Sequence, residues 1–182
     1  MERTQPGKRR IEDALMVLLS TERARNITVS ELCRAAHVSR STFYAHFANV
    51  DEAYRELVRR FIFGTSAMRT QLRAAASVEG TVRPPLCTLL RDGGPCQGLV
   101  DDDAFVETYL ELCETEFQEQ TLGIWLEVCP DVEVARTLCR FQLMGCIAAA
   151  KAAGAQADWE RSKTALDAFI RGGLNAVRQM NA

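Results

Sequence analysis

Between Ile27 and Phe47 the chain reads ITVSELCRAAHVSRSTFYAHF, and this stretch restricts the possible folds more than any other. Thr28 followed by Glu31 is a capping box: the threonine hydroxyl accepts a free backbone N–H of the first helical turn, and the glutamate reaches back to the N–H of the cap residue. That helix runs to about Ala36. Ser39 is a good N-cap for a second, short helix, which leaves only His37 and Val38 to join the two. A connection this short cannot lay the helices antiparallel with packed faces. It sets them at a steep angle, the helix-turn-helix geometry. Such a turn often needs a residue with φ > 0, which His tolerates better than most side chains.

The second helix of the pair crowds polar groups together, with only Phe43 and Phe47 looking inward. In a helix-turn-helix the second helix lies in the DNA major groove with its N-terminal residues on base edges, while the first crosses the backbone. Arg40 and Ser41 are therefore the candidates for base contact, Arg being suited to the O6 and N7 acceptors of guanine. Thr42, Tyr44 and His46 offer groups suited to phosphate oxygens. Ser39 at the cap, and Thr28 and Ser30 at the start of the first helix, complete the face. Lys8, Arg9 and Arg10 stand where phosphates or a minor groove would be met. Neither His37 nor His46 has a set of Cys or acidic partners at ligand spacing, so no metal is expected.

Periodicity is helical throughout, with no convincing alternating strand. Ile11, Leu15, Leu18 and Leu19 form one stripe of an amphipathic helix over residues 8–24. Asn49 with Glu52 starts a fourth helix, striped by Tyr54, Leu57, Val58, Phe61 and Ile62 and able to continue to about Ala76. Charge divides along the chain: residues 1–60 carry eleven Lys and Arg against eight Asp and Glu, a balance of +3, while the remainder has a balance of −5. Only the front third is suited to a polyanion.

Residues 8–62 resemble the DNA-binding domain of the TetR/AcrR family of bacterial transcriptional regulators. The likeness rests on an apolar first helix followed by Ile27, Thr28, Leu32, Ala36, Val38, Ser39, Thr42, Phe43, Tyr44, His46 and Phe47, and on a capped acidic turn opening the fourth helix. His37 stands where the family usually has Gly, and Val50 where it usually has Lys, which removes one expected phosphate contact. The resemblance implies an all-α protein. Residues 1–50 would be a three-helix DNA-binding domain, joined by a linking helix over about 49–76 to a helical effector-binding and dimerisation domain within 51–182. It also implies a repressor that leaves a palindromic double-stranded DNA operator when a small apolar effector binds.

In the rear part, RDGGPCQG at 91–98 reads as a loop, and Asp101 to Asp103 place negative charge at a helix N-terminus. Pro130 ends an apolar stretch and Asp131 caps a helix reaching about Ala153; a last helix spans about Asp158 to Gln179. By the resemblance, Phe105, Tyr109, Cys113, Phe117, Trp125 and Met144 enclose the effector, with plain core as the alternative. By the same resemblance the last two helices pair with their copies in a homodimer. Gly145, Ala149 and Ala152 offer a side of little bulk there, and Phe169, Ile170, Leu174 and Val177 offer an apolar stripe. The alternative is that these stripes face their own domain.

No paired acids, activated nucleophile or Gly-rich phosphate loop occurs, so neither an enzyme nor a cofactor is expected. Apolar runs fall far short of the ~20 residues that span a bilayer, and no signal-peptide pattern is seen; a cytoplasmic location is expected. The seven cysteines include no CxxC pair and read as small buried hydrophobes. Two other readings remain: a thiol-based redox regulator using Cys139 and Cys146, which share a helix face, and a coactivator or interaction protein that kept the fold.

Overall fold

The computed structural model describes residues 6–63, 97–116, 122, 125–153 and 159–181, and among them every regular element is helical. Eight α-helices follow in order: α1 (Pro6–Leu18), α2 (Val29–Ala35), α3 (Arg40–Tyr44), α4 (Val50–Phe63), α5 (Gln97–Asp101), α6 (Phe105–Thr115), α7 (Val132–Ala153) and α8 (Trp159–Met180), with a 3-10 turn at Ala24–Asn26. Two compact units emerge: residues 6–63 with 97–109, and residues 110–181. This partition differs from a boundary at residue 50. Ala53, Tyr54, Leu57 and Val58 bury α4 in the first unit, and residues 97–109 join it there. The expected continuation of α4 to Ala76, residues 91–96 of the expected loop, and Phe117 lie outside the described residues.

The first unit is built on Ile11, Leu15 and Leu19 from the α1 region, Leu32 of α2, Phe43 and Phe47 around α3, and Leu57 and Val58 of α4, all buried. α1 ends at Leu18, earlier than its apolar period suggests. The hydroxyls of Ser20 and Thr21 donate to the carbonyls of Val17 (2.6 Å) and Leu18 (3.3 Å), satisfying groups that a helix end leaves open. α2 carries the capping box in full: Glu31 N–H donates to Thr28 Oγ1 at 3.2 Å and Thr28 N–H to Glu31 Oε2 at 2.9 Å.

α2 stops in a Schellman motif. His37 takes φ 52°, its N–H donates to the Arg34 carbonyl at 3.3 Å, and the Val38 N–H donates to the Cys33 carbonyl at 3.0 Å. Those are the two closing bonds that a left-handed residue after the helix makes possible, a position Gly usually takes. Ser39 then caps α3, its Oγ accepting the Thr42 N–H at 3.0 Å. Asn49 Oδ1 accepts the Glu52 N–H at 2.8 Å to open α4.

Ion pairs seam α1 to α4. Glu12 is almost fully buried, and its Oε2 lies 2.6 Å from Arg60 Nη1. That approach is ionic, without the angles of a hydrogen bond. Burial pushes the Glu12 carboxyl above its ordinary range while Arg60 and Lys8 pull it back. Lys8 Nζ donates to Glu56 at 2.8 Å and Arg59 donates twice, at 2.8 and 2.7 Å. Burial raises the Glu56 carboxyl, but these hydrogen bonds outweigh it and leave the group below its usual value.

The expected loop gives way at its end to α5, and Asp102 is buried between α5 and α6. In the second unit Asp131 caps α7, its Oδ1 accepting the N–H groups of Glu133 (3.0 Å) and Val134 (3.1 Å). The core there gathers Leu122, Trp125, Val128, Ala135 and Leu174, with Leu138, Cys139, Ile170 and Val177 packed against it.

Two consequences are measurable by urea denaturation. His37→Gly should raise stability by up to ~1 kcal/mol, because Gly adopts the left-handed turn without the Cβ penalty; a clear loss would show that the imidazole makes a stabilising contact. Glu56 has a folded pKa below its unfolded value, so its contribution is complete above the ordinary carboxylate value of 4.5 and is lost as pH falls through the lower folded value. Glu56→Gln should therefore cost ~0.5 to 1 kcal/mol at neutral pH, allowing for solvent screening. That penalty should shrink once the pH is taken below the ordinary carboxylate value. A penalty independent of pH would remove the charge from the account.

Candidate nucleic-acid interface

Fixing Phe43 and Phe47 in the core decides what α3 presents outward. The two rings pack 5.9 Å apart, and the residues on the opposite side, Arg40, Ser41 and Tyr44, are exposed. Arg40 and Tyr44 are one helical turn apart, so they share a face. The guanidinium sits 5.9 Å from the centre of the Tyr44 ring, and its Nη2 donates to the Tyr44 hydroxyl at 3.3 Å. Its Nη1 donates to Ser30 Oγ at 3.3 Å, so the starts of α2 and α3 contribute to one polar surface. The bond to Tyr44 further favours the charged guanidinium.

Hydroxyls form a second cluster. Ser39 Oγ lies 2.8 Å from both Ser41 Oγ and Thr42 Oγ1. Thr28 is exposed, but its hydroxyl is engaged by Glu31 at 2.7 Å; it builds the helix start and has one less free group for a ligand. His46 is half-buried just beyond α3, and a Cβ added at Gly7 would come within 2.9 Å of its Nε2. The imidazole edge thus packs on the first turn of α1, and a side chain at Gly7 would make the His46 ring shift.

The three cations of α1 have separate positions. Lys8, expected to meet phosphate, is paired with Glu56 and lies 6.0 Å from the centre of the Phe47 ring, so it braces α1 against α4. Arg9 forms a solvent-exposed pair with Asp13 at 3.4 Å. Arg10 is exposed.

The described residues expected around an effector belong to two units. Phe105 and Tyr109 stack with ring centres 6.2 Å apart and are buried in the first unit. Trp125 is in the core of the second unit, and Met144 is exposed at 46%. Cys113 lines a cavity of about 20 Å³ with Leu110, Leu122, Cys139 and Leu143 and with Arg136, Glu114 and Arg140 also at its wall. Arg140 donates to Glu114 there at 2.6 Å.

The expected dimer stripe also separates. Ile170, Leu174 and Val177 pack on the Trp125 cluster, so they are core of their own unit. Phe169, one residue and ~100° of helix away, is 67% exposed. On α7 Phe141 is 66% exposed and Gly145 opens onto space. Ala152 is exposed and Ala149 is half-buried. Sequence reasoning missed Phe141, which the three-residue step to Met144 on α7 marks as a surface neighbour.

The fold is similar to that of the TetR family repressor AlkX from Dietzia sp. strain DQ12-45-1b, a protein implicated in biodegradation of n-alkanes. The two share 15% sequence identity with a TM-score of 0.51, over 99% of this chain and 97% of that one. No protein-family model matches the chain, and no curated protein is significantly similar to it in sequence. The architecture is therefore the TetR-repressor fold.

Proposed function

We propose that the chain is a cytoplasmic transcriptional regulator that binds double-stranded DNA as a homodimer, places α3 of each copy in a major groove, and represses from a palindromic operator until a small apolar effector releases it. The observation that carries this reading is the exposed Ser30–Arg40–Tyr44 face, held rigid from behind by Phe43 and Phe47. Arg40 is pre-oriented before DNA arrives, which lowers the entropy lost on contact. Likeness to a repressor of the same fold supports it. Among the described residues, no helix is long and apolar enough to cross a membrane.

Homodimerisation is supported by the exposure of Phe141 on α7 and Phe169 on α8, large apolar side chains that a second copy could cover. A second copy would cover them and set the two α3 helices about one duplex turn apart, ~34 to 36 Å, or a multiple of it. The redox reading is weaker: burial, then the charge of Glu114, pushes the Cys139 thiol up to about 11, leaving little reactive thiolate at neutral pH.

Capture of genomic DNA fragments by the purified protein, followed by sequencing, tests the reading; recovery of a palindromic site is expected. On that site Arg40→Ala should cost ~1 to 3 kcal/mol and relax preference at one base-pair position. An unchanged ranking of variant sites would mean that Arg40 does not read sequence. Phe169→Asp should yield a monomer by light scattering with intact helical signal and much weaker operator binding. Leu174→Ala should instead lower stability by ~2 to 5 kcal/mol and leave the stoichiometry alone. If Phe169→Asp stays dimeric, the exposed face is not the interface.

A further inference from the structure

Asp102 is 2% exposed, one of three buried polar or charged residues among those described. Its Oδ2 accepts the backbone N–H of Ala24 at 2.8 Å, and its Oδ1 accepts that of Ala104 at 3.0 Å. Ala24 opens the 3-10 turn that leads into α2, so one carboxylate both starts α6 and fixes the segment from which the DNA-facing pair departs. A buried backbone N–H left without a partner is costly, so this turn depends on the Asp102 oxygen. Neighbouring contacts close the same seam. Arg23 donates to the Asp101 carbonyl, Arg25 pairs with Asp103 at 3.5 Å, and a Cβ added at Gly98 would overlap the Leu19 carbonyl and come within 2.7 Å of Ser20 N. On the α4 side the buried Tyr54 hydroxyl has no hydrogen-bond partner within bonding geometry, although the Asp102 charge is among the groups acting on it.

We propose that Asp102 is a positioning residue for the DNA-reading pair: its buried carboxylate latches the 24–26 turn to the corner between α5 and α6, and α2 and α3 keep their DNA-competent placement only while that corner is seated. The proposal rests on the DNA-binding reading above and deepens it, because it gives the head a point of control outside the helix-turn-helix. Gly98 is part of the latch, since only a residue without a side chain lets α5 close onto the end of α1.

Amide hydrogen exchange on the full chain tests the latch whether or not the protein binds DNA. In Asp102→Ala the Ala24 amide should exchange at least tenfold faster, while the amides of Leu32 and Phe43 keep their protection. Gly98→Ala should have the same effect by a different route. Binding of a duplex recovered from the genomic capture, or of a random-sequence duplex at low salt if none is recovered, should fall at least tenfold in both variants at a temperature where they remain folded. Asp102→Asn, which retains one side-chain oxygen, should show intermediate values and serves if Asp102→Ala does not fold. Tyr54→Phe should leave Ala24 protected. Unchanged Ala24 exchange, or equal acceleration of Leu32 and Phe43, would overturn the latch. Loosened Ala24 with undiminished DNA binding would overturn its role in positioning. A wild-type protein that binds neither duplex would overturn the DNA reading while leaving the exchange result standing.

Discussion

The reversal from α2 to α3 depends on a single backbone dihedral. His37 at φ 52° closes both Schellman bonds, and the chain leaves the turn extended through Ser39 (φ −75°, ψ 158°), which places its hydroxyl to cap α3. A left-handed non-Gly residue costs ~1 to 3 kcal/mol. α3 itself, with five residues, is too short to be stable alone. Burial of Phe43 and Phe47 offsets both, at ~1.5 to 3 kcal/mol for each side chain. Once Phe43 is committed to the core, helical geometry leaves Arg40 and Tyr44 no choice but the outside. The polar face is thus a consequence of the apolar anchor, and its rigidity is inherited from it.

The basic charge of the head is less available than its total suggests. Lys8, Arg59 and Arg60 are engaged by Glu56, Glu12 and Asp13, where they hold α1 to α4. Each phosphate neutralised adds ~0.9 to the slope of log affinity against log salt for duplex DNA, so on the proposed reading these paired cations would add less to the salt dependence than their number suggests. Val50 at the start of α4 contributes no charge either. On the proposed DNA-binding reading, recognition would rest more on the placement of Arg40, Ser30 and Tyr44 than on bulk electrostatic attraction.

What was legible in the sequence follows from the range of each interaction. The caps at Thr28, Ser39, Asn49 and Asp131 bond to N–H groups three residues on or nearer, and a short window contains both partners. The turn at His37 was legible for the same reason. Asp102 was not: its partner Ala24 is 78 residues away, and in the run DDD its acid looks like any helix-start charge. The Lys8–Glu56 pair was not legible either, because the two residues are 48 positions apart. For α8 the apolar period was correct, but Phe169 and Ile170 are adjacent in sequence and face different ways; only the position of Trp125 decides that Ile170 turns inward. The end of α1 was lost to Ser20 and Thr21, whose hydroxyls outcompete the continuing apolar pattern.

If the proposed effector enters beside Cys113, the size of that cavity sets a condition on how it acts. About 20 Å³ is room for roughly one water, whereas small-molecule sites enclose ~300 to 1,000 Å³. Were the proposed effector to enter there, Leu110, Leu122 and Leu143 would have to move apart and the Arg140–Glu114 pair to open. The exposed pair costs little to break, ~0 to 1 kcal/mol, so the expense lies in separating apolar walls. An apolar ligand that covers those walls recovers it at ~25 cal/mol per Å², whereas a small polar one does not. Because a ligand shifts an equilibrium only by its preference between two forms, entry at a cavity closed at rest would make that preference large on the proposed reading: the closed form would exclude the ligand, and binding and opening would become one event.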